Sequence, residues 1–339
     1  MIFRPQKIML IVIFLILAMG LVCLYSSCHQ KGVFIKKDIF DKQLLWIGVG
    51  ICFLFLMSRF DYRRLPIAIV PLYALTLFSL FFVLIAGRTI MGAQRWLSVG
   101  DFSFQPSELG KFTLILLLAK YFSRKSMRDV ASSADPSNFF KGLVLPLGMV
   151  LLPAGLVLIQ PDLGTAIVYL FIFIAMCFLA GVPRRFMIGF LGLGLALFPF
   201  FWHFLKAYQK ARLLVFLNPN IDPLGAGYTV IQSKIAIGSG RLFGKGWMSG
   251  TQSQLNFLPE QETDFIFDSL AEELGFAGAL AVFGLYLLLL HRIYRLIKEG
   301  ENLFTNFLLL GIFTVFLAQA VINIGMNLGI FPVTGITLP

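Results

Sequence analysis

The run "TDFIFDSLAEELGFAGALAVFGLYLLLL", residues 263–290, carries two messages at once. From Phe265 onward it is long and apolar enough to cross a bilayer, which takes about 20 residues of helix. Its first eleven residues nevertheless hold Asp264, Asp268, Glu272 and Glu273. A charge near a bilayer centre costs about 2.5–3.5 kcal/mol on insertion scales. The run therefore predicts a membrane helix whose outer end is built for something other than solubility in lipid.

The rest of the chain is of the same kind. Of its 339 residues 58% are hydrophobic and only 13% are charged, where a soluble domain carries about 25% charged residues. The 37 Phe exceed what a soluble core needs and suit lipid-facing helices. The sequence predicts an all-α polytopic membrane protein, a single integral membrane domain over 1–339. The expected spans are 8–26, 43–58, 66–86, 107–122, 142–160, 163–181, 186–205, 265–290 and 303–325. A tenth starts at 328, so about ten transmembrane helices are expected, the last incomplete in this chain. The first span has basic flanks and no small-residue cleavage pattern, which reads as an uncleaved anchor.

The net charge of +11 would suggest nucleic acid in a soluble protein. Here the Lys and Arg collect in loops and at helix ends, so topology and anionic head groups account for them and no nucleic-acid partner is expected. Arg4 and Lys7, Arg59, Arg63 and Arg64, Arg124, Lys125, Arg128 and Lys141, Arg184 and Arg185, and Arg292, Arg295 and Lys298 all fall on one side. By the positive-inside rule that side, with the N-terminus, is cytoplasmic. Lys31, Lys36, Lys37 and Lys42 on the other side are the exception. The loop at 87–106, the turn at 160–162 and the long 206–263 segment before helix 8 are then extracytoplasmic. The cytoplasmic loops are short and hold no P-loop, which argues against ATP-driven work. Cys23, Cys28, Cys52 and Cys177 form no CxxC pair, and the three His have no metal-site spacing.

The unusual polar residues gather in the three outer segments. In "GAQRWLSVGDFSFQPSELGKF", 92–112, Arg95 and Trp96 suit an interface. Pro106, Ser107 and Glu108 read as a helix start, and Glu108 and Lys111, three apart on one face, predict a paired and buried site. In "QPDLGTA", 160–166, Asp162 stands at a helix start, where a cap and a catalytic role are both open. In the 208–267 stretch, "SGRLFGKGWMSGTQ" is a glycine-rich loop with Arg241 and Lys245. Its backbone N–H groups are candidates to cradle a lipid-linked phosphate. At 100° per residue Asp264, Asp268 and Glu272 form one stripe, with Glu273 on the opposite side. Glu272 and Glu273 are expected to pair structurally inside the bundle. Asp264, at the mouth and after Thr263, is the best general-base candidate.

Taken together, "RWLSVGDFSFQPSELGK", "QPDLGTA", "DPLGAGY", "QSKIAIGSG", "GTQSQLNFLPEQETDFIF" and "AEELG" resemble the SEDS family of bacterial cell-wall polymerases (the RodA, FtsW and SpoVE type), and the RodA branch within it. The resemblance implies ten transmembrane helices in the bacterial inner membrane. It also implies a peptidoglycan glycosyltransferase that polymerises lipid II on the outer leaflet during elongation and rod-shape maintenance. It places the family's essential aspartate at Asp264, its "PSELGK" pair at Glu108 and Lys111, and its "PDLGT" aspartate at Asp162. A class B penicillin-binding protein is the implied partner, with other membrane proteins of the elongation complex. Two positions depart from the pattern: Glu262 stands where the family usually has His, and Asp268 where it usually has a small residue. The family also continues past "PVTGITLP" with an "FVSYGGSS"-like segment that completes the last helix.

The implied reaction joins an α-linked donor into a β-linked product, so it inverts one centre. Such a step needs a base, here Asp264, and groups to hold the departing diphosphate. Arg95, Lys111, Arg212 and Lys245 are the candidates, although Arg95 serves equally as an interfacial anchor. No metal ligands can be read off the sequence, and a divalent cation (Mg or Mn) stays open as a helper. Two rival readings are a flippase for lipid-linked sugar, which needs a polar path across the bundle, and a non-catalytic scaffold for a penicillin-binding protein.

Overall fold

A computed structural model describes residues 4–30, 33–34, 36–59, 65–90, 93–100, 102–124 and 136–339. Of the basic residues used to orient the chain, Lys31, Arg63, Arg64, Lys125 and Arg128 lie outside the described residues.

The helices follow the hydropathy pattern. In order they are α1 (Arg4–Cys28), α2 (Lys37–Ser58), α3 (Leu65–Ala86), α4 (Pro106–Arg124), α5 (Pro136–Ile159), α6 (Leu163–Leu179), α7 (Arg184–Phe204), α8 (Ala207–Leu217), α9 (Ala226–Ser239), α10 (Thr251–Gln254), α11 (Ile266–Glu299) and α12 (Leu303–Asn327). Each expected span from 8–26 to 303–325 falls on a helix, but four helices run beyond it: α1 starts at Arg4, α2 at Lys37 and α5 at Pro136, and α11 continues to Glu299. Among the described residues, six helices are long and apolar enough to cross a membrane: Lys7–Cys28, Lys37–Ser58, Ile67–Ala86, Gly142–Ile159, Ile266–Glu299 and Leu303–Asn327. The chain is a polytopic membrane protein. Apolar runs of this length become helices because lipid offers no partner for backbone N–H and C=O groups, and a helix satisfies them within the segment.

Three features differ from the sequence reading. The first is two small antiparallel sheets in an otherwise helical protein. β1 (His29–Gln30) pairs with β2 (Val33–Phe34), and β4 (Ala93–Val99) sits between β3 (Arg88–Ile90) and β5 (Phe102–Phe104). The second is the 206–263 segment, half of which is folded into α8, α9 and α10.

The third is the end of the chain. No helix begins at 328, and residues 332–339 run as coil. Here α12 stops in a glycine-terminated cap. Gly329 takes φ +71, its N–H donates to Met326 O (3.0 Å), and Ile330 N–H donates to Gly325 O (2.7 Å). This is the Schellman bonding pattern, which a glycine in the left-handed region makes without strain. Pro332 follows and cannot continue a helix. The stop signal was present in "NLGIFP", and the apolar character of the run concealed it.

The described residues form two compact units. The first comprises Met1–Asp61, Ala207–Arg292 and Gln319–Pro339, and the second Tyr62–Lys206 and Ile293–Ala318. In the second unit, Gly110 lets α4 approach α6 closely, since a Cβ there would meet the Tyr169 hydroxyl. That hydroxyl donates to Ser107 O at 2.9 Å. In the first unit, the end of α1 anchors the segment before α11: Gln254 donates to Ser26 O and Gln261 to Ser27 O, both at 3.2 Å.

Candidate functional site

The acidic run of the first unit resolves into separate environments. α11 is not one continuous helix. At Gly275 the backbone turns to φ 68, ψ −163, a region essentially closed to other residues. Helical hydrogen bonds are lost at such a break, and unmet backbone groups are costly in a membrane protein. The glycine-rich loop 240–246 fills the gap. Lys245 N–H and Gly246 N–H donate to Glu272 O and Glu273 O, each at 3.0 Å. On the other side, Phe276 N–H donates to Arg241 O (2.8 Å) and Ala277 N–H to Leu242 O (3.0 Å). The loop comes so close that a Cβ on Gly244 would lie 2.0 Å from Glu273 O, and one on Gly240 would lie 1.9 Å from Ala271 O. The glycines serve backbone-to-backbone contact. The Lys245 and Gly246 N–H groups offered above as an anion cradle are spent on helix carbonyls.

The carboxylates around the break hold the same loop. Glu272 is fully buried and pairs with Lys245 Nζ at 2.8 Å. It also accepts from Gln252 N–H (2.9 Å) and Ser253 N–H (3.1 Å), so it caps the short helix α10 from outside. Glu273 points elsewhere and accepts from Ser26 Oγ of α1 at 2.5 Å. Glu262, where the resemblance led to an expectation of His, pairs with Lys36 at 2.6 Å. Asp268 has no comparable arrangement. It is fully buried, and neither carboxylate oxygen has a hydrogen-bond partner among the described residues. The Ser233 hydroxyl lies beside it but donates to Asn327 O at 2.6 Å.

Asp264 stands two residues before α11 and is half-buried. Its carbonyl lies outside the helical ladder, since Asp264 precedes the capping position and Asp268 N–H donates to Phe265 O (3.1 Å). Asn323 of α12 takes that carbonyl at 2.9 Å and also holds Ile336 O of the terminal coil at 2.8 Å. The coil thereby lies along the carboxylate. A Cβ on Gly335 (φ +76) would stand 3.5 Å from Asp264 Oδ2. Arg212 of α8 reaches the same coil, with Nη1 donating to Val333 O at 3.3 Å and the guanidinium 5.8 Å from the Tyr208 ring centre.

The second unit holds the other sequence candidates. Lys111 is buried and pairs with Glu108 at 2.7 Å, but the Glu108 side chain is 51% exposed, so this pair opens outward rather than lying wholly inside. Asp162 caps α6 and is buried. It accepts from Thr165 N–H (3.2 Å), Thr165 Oγ1 (3.0 Å) and Gln105 Nε2 (3.0 Å). Arg95, on β4, clamps the turn before that cap: Nε donates to Gln160 O at 3.1 Å and an η nitrogen donates to Pro161 O, with Asp162 3.9 Å away. Asn323, Ser26 and Gly335 were not singled out by sequence. An Asn inside the apolar run "AVINIGMN" was the available signal, since a polar side chain there must find partners.

The chain matches a family of known proteins over nearly its whole length. A model of the FtsW, RodA and SpoVE family, described as "Cell cycle protein", matches residues 6–339. Peptidoglycan glycosyltransferase MrdB of Escherichia coli K12 is 38% identical over 332 residues, covering 98% of this chain and 86% of that protein. Peptidoglycan glycosyltransferase RodA of Treponema pallidum is 34% identical, covering 98% of this chain and 91% of that protein. Among solved structures, one from work on the structural coordination of polymerization and crosslinking by a peptidoglycan synthase complex is 36% identical. It superimposes with a TM-score of 0.80, covering 98% of this chain and 89% of its own. The motifs, the helix order and these likenesses agree: this bacterial membrane protein belongs to the FtsW/RodA/SpoVE family of cell cycle proteins.

Proposed function

We propose that the protein is a peptidoglycan glycosyltransferase that polymerises lipid II into glycan strands on the outer leaflet during cell-wall elongation and rod-shape maintenance. Asp264 is its general base. The names of its relatives support the activity. The observation that carries the residue assignment is the common support of Asp264 and Arg212. Both rest on the coil around Val333–Ile336, one through Asn323 and one directly.

In the proposed step, the Asp264 carboxylate takes the proton of the acceptor 4-hydroxyl. The hydroxyl oxygen attacks the anomeric carbon of the donor from the face opposite the diphosphate. The C–O bond to the diphosphate breaks, and its electron pair leaves with the phosphate, so an α-linked donor gives a β-linked product. Charge develops on the leaving diphosphate, where fixed cationic donors stabilise the transition state most. Arg212 is assigned there, as a planar donor suited to phosphate oxygens. Lys111 and Lys245 are engaged by Glu108 and Glu272, and Arg95 by the 160–161 turn. These three serve the architecture of their surroundings first. A divalent cation, Mg or Mn, would come with the diphosphate, whose oxygens are its natural ligands.

The protein sits in the cytoplasmic membrane with its N-terminus inside, a placement supported by the basic helix ends. A class B penicillin-binding protein is its partner, supported by the likeness to a chain of a peptidoglycan synthase complex. The test is a purified-protein assay with lipid II, with and without that partner, comparing wild type, Asp264→Ala and Asp264→Asn. Both variants should lose glycan synthesis. Polymer from either at the wild-type rate would sink the base assignment. Absence of product from wild type with its partner present would sink the enzyme reading itself.

A further inference from the structure

We infer that Asn323 is a positioning residue for the reaction: its side-chain amide fixes Asp264 against the terminal coil that also carries Arg212. This rests on the reading of Asp264 as base. A fully buried Asn in an apolar helix is costly unless every polar atom is used, and here they are. One amide group donates both its hydrogens, to Asp264 O at 2.9 Å and to Ile336 O at 2.8 Å. Its oxygen accepts from Asn327 Nδ2 at 3.4 Å. The flipped orientation would set that oxygen against two carbonyls, so the network admits one orientation.

The consequence for Asp264 follows from its backbone. A residue two positions before a helix lies outside the helical ladder, and its carbonyl needs a partner from elsewhere. The Asp268 N–H goes to Phe265 O, so Asp264 takes its place from Asn323 and not from the helix. The second donation holds Ile336, and with it Gly335, whose absent side chain leaves room beside Asp264 Oδ2. Two residues further back the coil accepts from Arg212 at Val333 O. A single side chain thus links the candidate base to the support of the candidate diphosphate donor. Loss of the link frees the base by fractions of an ångström without removing any group that contacts substrate.

The experiment compares wild type, Asn323→Leu, Asn327→Ala and Asp264→Ala as full-length purified protein. Initial rates are measured across lipid II concentration and normalised to the folded fraction. Asn323→Leu keeps the branched shape and removes both donors. It should lower kcat by about ten- to a hundredfold, the scale of sub-ångström to ångström misplacement, with KM within about twofold. Asn327→Ala removes the partner that orients the amide and should lower kcat in the same direction by about threefold or more. A merely structural role would change the folded fraction and leave the normalised kcat alone. The inference is overturned by a normalised kcat for Asn323→Leu within about twofold of wild type, or by a rise in KM alone. If Asn323→Leu does not fold, an unchanged kcat in Asn327→Ala overturns it. An active Asp264→Ala would instead refute the base reading, whereas an inactive Asp264→Ala beside a fully active Asn323→Leu would refute only the positioning role.

Discussion

Replacing Gly275 by Ala tests the claim that α11 is a broken helix plugged by a loop. The backbone at Gly275, φ 68 and ψ −163, is one that a residue with a Cβ enters at a cost of about 1–3 kcal/mol. Sterics add to this, because the new Cβ would stand 2.2 Å from Gly244 N and 2.7 Å from Phe243 C, both main-chain atoms that cannot rotate away. The plug must retreat. Retreat exposes the four hydrogen bonds that cross the break, made by Lys245, Gly246, Phe276 and Ala277 N–H. At about 0.5–1.5 kcal/mol net for each bond, full expulsion adds about 2–6 kcal/mol to the strain.

The control is Gly238→Ala in α9, where a Cβ meets nothing within 4 Å. It should be neutral or stabilising by up to about 1 kcal/mol, the ordinary helix preference for Ala over Gly. The assay is denaturant unfolding of the full chain in detergent, with tryptophan emission as the local probe. Trp247 follows the loop directly and stacks on Tyr25 of α1 at 5.7 Å, so release of the plug should alter its emission before global unfolding. A Gly275→Ala protein as stable as wild type, within about 0.5 kcal/mol, and with unchanged emission would refute the reasoning. The loop would then be a neighbour of the helix and not a part of it.

The other expectations concern the acids of the same run. Asp268→Ala should raise the unfolding midpoint, because it removes a buried carboxylate with no partner among the described residues. The gain is about 1–3 kcal/mol, the usual cost of an unsatisfied buried polar group, less a small packing loss. A lowered midpoint would show that this carboxylate is engaged in the folded protein. Lys36→Met should cost about 1–3 kcal/mol, since it strands Glu262, whose side chain is only 3% exposed. Adding Glu262→Gln should recover most of that loss. A double-mutant cycle with no coupling would remove the pair from any role in holding the segment before Asp264.

How much of this was legible in sequence depended on the range of each interaction. The helices followed from apolar runs, because a membrane leaves the backbone only its own groups to bond with. The cap at Asp162 was one of two readings from sequence, because its partner Thr165 is three residues away. The position of Asp264 at the mouth of α11 was readable for the same local reason, and so in principle was the stop at Gly329 and Pro332.

The partners of the acids were not. Glu272 finds Lys245 at a separation of 27 residues, Glu262 finds Lys36 at 226, and Glu273 finds Ser26 at 247. Periodicity places a side chain on a face of its own helix and says nothing about what stands opposite. Gly275 stands in an apolar run, and no neighbouring residue in the sequence marks it as a break. Only packing made it a break, because the groups that repair it arrive from a loop some thirty residues earlier in the chain. Sequence alone determined which segments enter the membrane and where acids lie along them. Tertiary structure decided which acids hold the scaffold and what holds Asp264, because those answers depend on atoms brought together only when the whole chain has folded.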